Sequence, residues 1–340
     1  MPTYLELEHL TKLFGPDIEA GLEALRLGKS KSELLESSGN VIGAHDVNLQ
    51  IQRGELFVVM GLSGSGKSTL VRMINRLIEP SAGRVLLDGV DITRMSGKEL
   101  VELRRSKMSM VFQSFALLPH LSVIDNVAFG LHIAGVDKKE ARRQSLEALQ
   151  LVGIAEVAEH LPHQLSGGMQ QRVGLARAWV TEPEILLMDE AFSALDPLIR
   201  TEMQDALLEL QQTSRRTIIF ISHDLAEAVR IADRIAVMAE GEIRQVGTPA
   251  EIIENPADEY VRAFFRDVQP GRLFTAGDIA VPGKVPVESK TVPANALLEE
   301  ILQQAADSEA PLAVADEQGN LIGYIDRKRL LQALAKGHGL

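Results

Sequence analysis

The chain has 340 residues, 45% hydrophobic and 24% charged, enough for two domains with sizeable cores. Its 35 basic residues against 47 acidic ones give a net charge of −12, which argues against nucleic acid or an anionic lipid surface as a general electrostatic partner. The absence of cysteine excludes disulfides, thiolate metal sites and thiol catalysis.

The first residues lack the basic-then-apolar pattern of a signal peptide. No stretch approaches the roughly 20 uninterrupted apolar residues that span a bilayer, so a membrane process would need a partner to do the spanning. From Tyr4 to about Arg266, short β-rich runs alternate with helical patterns, which predicts an α/β architecture with a largely parallel core sheet. Residues 16–40 interrupt that rhythm. Ile18, Leu22 and Leu25 fall at helical spacing, and Ser30 to Glu33 reads as a capping box, so one or two short surface helices are expected before the strand-like Val47–Ile51.

Leu56–Met60 is a continuous apolar run, the pattern of a buried strand, and a helix is expected over Ser68–Leu77. Between them lies Gly61-Leu62-Ser63-Gly64-Ser65-Gly66-Lys67-Ser68-Thr69, a phosphate-binding loop in the strand-to-helix setting that such a loop needs. Gly61, Gly64 and Gly66 let backbone N–H groups turn inward as an anion nest, and the helix N-terminus adds further donors. Lys67 is placed for the β- and γ-phosphates, and the Ser68 hydroxyl for Mg²⁺.

Further along, Gln113 ends the strand-like Met110–Phe112 and is a candidate ligand to metal or water. Leu165-Ser166-Gly167-Gly168-Met169 is a Ser-Gly-Gly helix start, a second terminus with exposed N–H donors. One nucleotide does not need two such cradles from one chain, so the second is expected to serve a nucleotide held by another subunit. Ile185–Asp189 is an apolar strand ending in two carboxylates, costly unless they meet a cation or substrate. Asp189 suits a magnesium ion, and Glu190 suits polarisation of an attacking water as general base. Thr217–Ile221 is the third apolar strand, with His223 just beyond it, a residue that alone reads as structural.

A turn-rich junction at Gln269-Pro270-Gly271 precedes a different small unit. It is expected to contain a helix over Asn295–Ala306, a strand over Leu312–Ala315, a turn at Asp316–Asn320, a strand over Leu321–Ile325 and a helix over Arg327–Ala335.

With these motifs in order, the chain resembles the ATP-binding subunits of ABC transporters, whose signature motif Leu165–Met169 matches. The resemblance implies Gln113 as the Q-loop, Asp196 within Ser193-Ala194-Leu195-Asp196 as the D-loop, and His223 as the switch histidine. It also implies an adenine-stacking aromatic, Phe14 or alternatively Tyr4. Residues 16–40, the phosphate loop, Val111–His120 and Met188–Arg200 together resemble the bacterial glycine betaine/proline (quaternary amine) importers. Residues 291–335 resemble a single CBS motif, where osmoregulated members carry two.

The resemblance thus implies an ABC-type nucleotide-binding domain over 1–268, with a helical insertion at 16–40 and a helical subdomain at 114–180. A linker and CBS-like α+β tail would occupy 269–340. It implies ATP and Mg²⁺, a head-to-tail dimer of two copies, integral-membrane permease subunits gripped near Gln113–Asn126, and indirectly an extracytoplasmic substrate-binding protein. The chain would sit peripherally on the cytoplasmic face of the inner membrane. Import of choline or another amino acid, and a soluble ABC ATPase outside transport, are the alternative readings.

Overall fold

The structure, a computed structural model, describes residues 3–112, 116–193, 195–266, 271, 274–283, 285–286, 288–308, 310–316 and 318–335. They form two compact units, Met1–Arg244 and Gln245–Leu340, each taken by itself.

The first unit opens on strand β1 (Thr3–Phe14), which buries Leu5 and Leu7 two residues apart and then, past register shifts that break the period of two, Leu10 and Leu13. Helices α1 (Ile18–Arg26) and α2 (Lys31–Ser38) follow, so residues 16–40 form two helices. Asp17 caps the first, and Ser30 and Glu33 cap the second reciprocally. Their inner faces pack with Leu13, Ala24 and Leu34. Strand β2 (Val41–Gln52) then returns antiparallel to β1, pairing Phe14 with Val41 and Thr3 with Gln52. With β4 (Ala82–Leu87) and β5 (Val90–Asp91) they make a four-stranded sheet, order β2-β1-β4-β5.

The six-stranded second sheet contains β3 (Leu56–Met60), β6 (Met108–Val111), β7 (Ile185–Asp189), β8 (Thr217–Ser222), β9 (Arg234–Ala239) and β10 (Glu242–Gly247). Its order is β10-β9-β3-β8-β7-β6, and the pairs from β9 to β6 are parallel. Every residue of β3, β7 and β8 is buried, which is why these strands read as unbroken apolar runs. Met60 pairs with Ser222 and Asp189 with Ile221, so three strand ends far apart in sequence stand side by side. In open α/β sheets that edge is where ligands bind.

Helix α3 (Lys67–Ile74) follows β3 and stops short of the expected Leu77. Arg76 turns left-handed (φ 54°), and its guanidinium reaches Ile92 O and Met95 O, contacts that a continued helix would forfeit. Helix α4 (Gly97–Ser106) precedes β6. Three helices that pack on one another lie between β6 and β7: α5 (Val123–Ile133), α6 (Lys138–Leu151) and α7 (Gly167–Trp179). Buried Asn126 ties the chain ahead of α5, donating to Leu118 O, Leu121 O and Ser122 O and accepting from Leu118 N. Helices α8 (Pro197–Ser214) and α9 (Leu225–Ile231) flank β8 in sequence.

The second unit holds α10 (Pro249–Glu254), α11 (Glu259–Phe264), α12 (Ala276–Ile279), β11 (Thr291–Pro293), α13 (Leu298–Ala306), β12 (Leu312–Ala315), β13 (Leu321–Ile325) and α14 (Arg327–Ala335). Strand β12 is central, parallel to β11 and antiparallel to β13. The unit begins ahead of the 268/269 junction marked by turn residues because Ala250 and Ile253 of α10 pack against the cluster built on Leu298, Ile301, Val314 and Leu330. Gln269 and Pro270 of that junction lie outside the described residues, as does Glu317 of the expected turn. Helix α13 starts at Leu298, later than Asn295, because the Glu300 carboxylate accepts from Leu297 N and caps it there.

Candidate nucleotide-binding site

Between β3 and α3 the chain turns through left-handed glycines. Gly64 has φ 79° and Gly66 φ 106°, a conformation that costs other residues about 1–2 kcal/mol. A Cβ on Gly66 would stand 2.2 Å from Gly43 O, and one on Gly61 2.1 Å from Met238 O, so both positions exclude side chains sterically as well. Lys67 is 4% exposed, and its Nζ donates to Gly61 O at 2.9 Å and Leu62 O at 3.0 Å, which arches the loop over the ammonium. Burial pushes the Lys67 pKa down, opposed by the carboxylates of Glu190 and Asp189. The Ser65 Oγ is buried without a partner among the described residues, a donor inside the loop. Ser63 is exposed at the loop's rim and Thr69 is half-buried on the first turn of α3.

At the end of β7, Asp189 is 1% exposed and fully engaged. Its Oδ1 accepts from Ser68 Oγ at 2.7 Å and its Oδ2 from Arg72 at 3.0 Å. Ser68 and Arg72 are four residues apart on α3, hence on one face. That spacing was available in the sequence, and Arg72 is a site residue that motif reading missed. Glu190 has a left-handed φ of 48°, strain of the kind that gathers at functional sites. Ser193 stabilises it, donating from N and Oγ to Glu190 O. His223 follows β8, with Nδ1 3.6 Å from Glu190 Oε2. The structure therefore brings Lys67, Ser68, Asp189, Glu190 and His223 to one sheet edge.

Ser166 is the N-cap of α7, its Oγ accepting from Met169 N at 3.3 Å, with Ser166 and Gly167 exposed and Gly168 half-buried. Asp196 caps α8 through Ile199 N at 3.2 Å. Gln113 lies outside the described residues, as does Ala194 of the D-loop.

Of the two candidate aromatics, Phe14 is 42% exposed and lies against Gly43, where a Cβ would meet its ring at 2.6 Å and the Thr69 methyl at 3.1 Å. Its ring thus stands beside the first turn of α3. Tyr4, the alternative, is corrected: it is 2% exposed at the opposite end of β1, its hydroxyl bonded to Glu184 and its ring covered by Arg53 at 3.7 Å. Such a ring has no free face for a base.

A phosphate cradle at the C-terminal edge of a parallel sheet, with a hydroxyl–carboxylate pair and a second acid beside it, defines a phosphate-loop nucleoside triphosphatase. Residues 44–193 match the family described as ABC transporter. The chain is 52% identical, over 100% of its length and 85% of the relative's, to the glycine betaine/proline betaine transport system ATP-binding protein ProV of Salmonella typhimurium. It is 45% identical, over 98% and 97%, to the trimethylamine N-oxide transport system ATP-binding protein TmoW of Ruegeria pomeroyi. The post-hydrolysis dimer of the ATP-binding cassette MJ0796 bound to ADP and Pi superposes with a TM-score of 0.62 at 31% identity, covering 72% of this chain and 98% of that one. The chain belongs to the ATP-binding subunits of ABC transporters, and it is an ATPase.

Proposed function

We propose that this chain is the ATP-hydrolysing subunit of an importer for glycine betaine, proline betaine or a related quaternary amine. The observation that carries this reading is that the 52% identity spans the whole chain, insertion and tail included, rather than the nucleotide-binding core alone. Reconstituted in liposomes with its permease and substrate-binding partners, the chain is expected to drive ATP-dependent uptake of labelled glycine betaine. Uptake of histidine without betaine would overturn the substrate and leave the ATPase standing.

In this reading two copies meet head to tail, and each ATP lies between the phosphate loop of one and Ser166, Gly167 and Gly168 of the other. The backbone N–H groups of Gly61 to Thr69 and the Lys67 ammonium hold the phosphates, and the Ser65 hydroxyl gains the partner it lacks. Ser68 and Asp189 fit a magnesium ion, because one hydroxyl and one carboxylate are the sparse oxygen set that this ion takes when phosphates and waters complete its shell. Magnesium supplies charge neutralisation on the phosphates. Glu190 orients the attacking water, His223 supports the γ-phosphate, and Asp196 meets the other copy. Gln113 would contact the metal or water.

The first unit acts as the nucleotide-binding domain, with a helical subdomain at 114–180 that engages the permease at the cytoplasmic membrane face. The second unit carries a single CBS-like motif. In the first unit, Phe14 stacks on adenine. Phe14→Ala is expected to raise the KM for ATP about tenfold, in line with the 1–3 kcal/mol of a base–aromatic stack. Tyr4→Phe should leave KM unchanged and cost about 1 kcal/mol of stability through its lost hydrogen bond. ATP titrations of hydrolysis and thermal melts separate the two, and an unchanged KM in Phe14→Ala would sink the stacking role.

A further inference from the structure

Arg200, on the first turn of α8, reaches in two directions. Its Nη2 donates to Leu195 O at 3.1 Å and its Nη1 to Asp224 Oδ2 at 2.9 Å. Leu195 belongs to the loop that runs from Glu190 to Asp196, and Asp224 directly follows His223. The first loop is stiffened by Ser193 N to Glu190 O and Leu195 N to Phe192 O, both 3.2 Å. The turn around His223 is stiffened on both sides: Asp224 N donates to Ser222 Oγ at 2.9 Å, and Asp224 Oδ1 accepts from Glu227 N at 3.1 Å. The guanidinium joins one stiff segment to the other.

Stability does not account for this arrangement. The two side chains are 26% and 33% exposed, a setting in which an ion pair contributes about 0–1 kcal/mol. The Arg200 Nε is buried without a hydrogen-bond partner among the described residues, a cost accepted to keep the planar fork aimed at both acceptors. A planar guanidinium that donates to two acceptors from separate nitrogens sets the spacing between them, and the segments it links carry Glu190 and His223, which themselves meet at 3.6 Å.

We propose that Arg200 is a positioning residue that holds the Glu190 loop and the His223 turn in register for hydrolysis. The inference rests on the reading of Glu190 as the water-orienting acid and His223 as its γ-phosphate neighbour. Arg200→Met, Asp224→Asn and the double variant of the full-length chain test it by steady-state hydrolysis. Asparagine caps a helix as well as aspartate, so Asp224→Asn keeps the cap on Glu227 N, while an amide nitrogen that cannot accept from Arg200 takes the place of Oδ2. Each single variant is expected to lose roughly ten- to hundredfold in kcat, the effect of a small misplacement of reacting groups. The KM for ATP should stay within about twofold, since the phosphate cradle is untouched. The double variant should be no worse than either single one, because both remove the same bridge. Arg200→Lys should not rescue, since a single ammonium lacks the fork. Additive losses, a KM that rises in step with kcat falling, or wild-type turnover in Arg200→Met would each overturn the proposal. Glu190→Gln is assayed alongside: if it hydrolyses ATP normally the site reading fails too, whereas an inactive Glu190→Gln beside a fully active Arg200→Met sinks the bridge alone.

Discussion

Glu190→Gln lowers steady-state ATP hydrolysis by about a thousandfold, inside the 10²–10⁴ range of a lost general base, while ATP binding stays within a few-fold. The substitution is nearly isosteric, and it removes the carboxylate's charge and with it the ability to take a proton. Glu190 is held by its backbone, with its carbonyl bonded to Ser193 and its left-handed φ set by the loop. Glutamine inherits that position. The cradle of Gly61 to Ser68 lies on a different strand end and is held by Lys67 donating to Gly61 O and Leu62 O, and of the two carboxylates that favour the Lys67 charge, Asp189 remains in the variant. Binding and chemistry are therefore separable by residue. Phosphate release at saturating ATP and equilibrium binding of ATP measure the two sides, and size-exclusion chromatography should show an ATP-bound dimer that persists because it cannot hydrolyse. Full turnover in this variant would remove Glu190 from its role.

What could be read beforehand, and what could not, follows from how far each interaction reaches. Strands β3, β7 and β8 are buried on both faces, so their apolar runs were visible without any partner. The phosphate loop was visible because its glycines answer to local geometry, and the capping box at Ser30 because it closes within four residues. The register that sets Met60 beside Ser222 and Asp189 beside Ile221 is a property of strand pairing, which no local pattern encodes. Arg72 and Arg200 were missed for a related reason: a surface arginine and one that bonds a carboxylate 117 or 24 residues away look alike in sequence. The choice between Phe14 and Tyr4 also needed burial, since both lie on the same strand and only the packing of Arg53 and Glu184 removes Tyr4. Helix ends shifted where a side chain found a better acceptor, as Arg76 did beyond α3.

Lys67→Ala weakens ATP binding by well over an order of magnitude, and hydrolysis falls with it. The ammonium is buried against two carbonyl oxygens, Gly61 O and Leu62 O, and burial lowers its pKa. A depressed lysine value means that the folded state holds the proton less readily than the unfolded chain. The resulting penalty on stability is full below the lowered value and fades as the pH rises from there towards 10.5. The charge is thus kept at some cost to the fold, which a bound phosphate would offset. Truncating one member of a buried, hydrogen-bonded charge pair costs about 2–5 kcal/mol, much of it from the partner left unpaired. That corresponds to a loss of affinity of roughly thirtyfold to several thousandfold. Because a ligand that binds only the folded state raises its melting temperature, ATP should raise the midpoint of the wild-type chain and leave that of Lys67→Ala unmoved. A variant that still gains stability from ATP would show that the glycine cradle and helix terminus suffice without the lysine, and would reduce Lys67 to a role in the transition state.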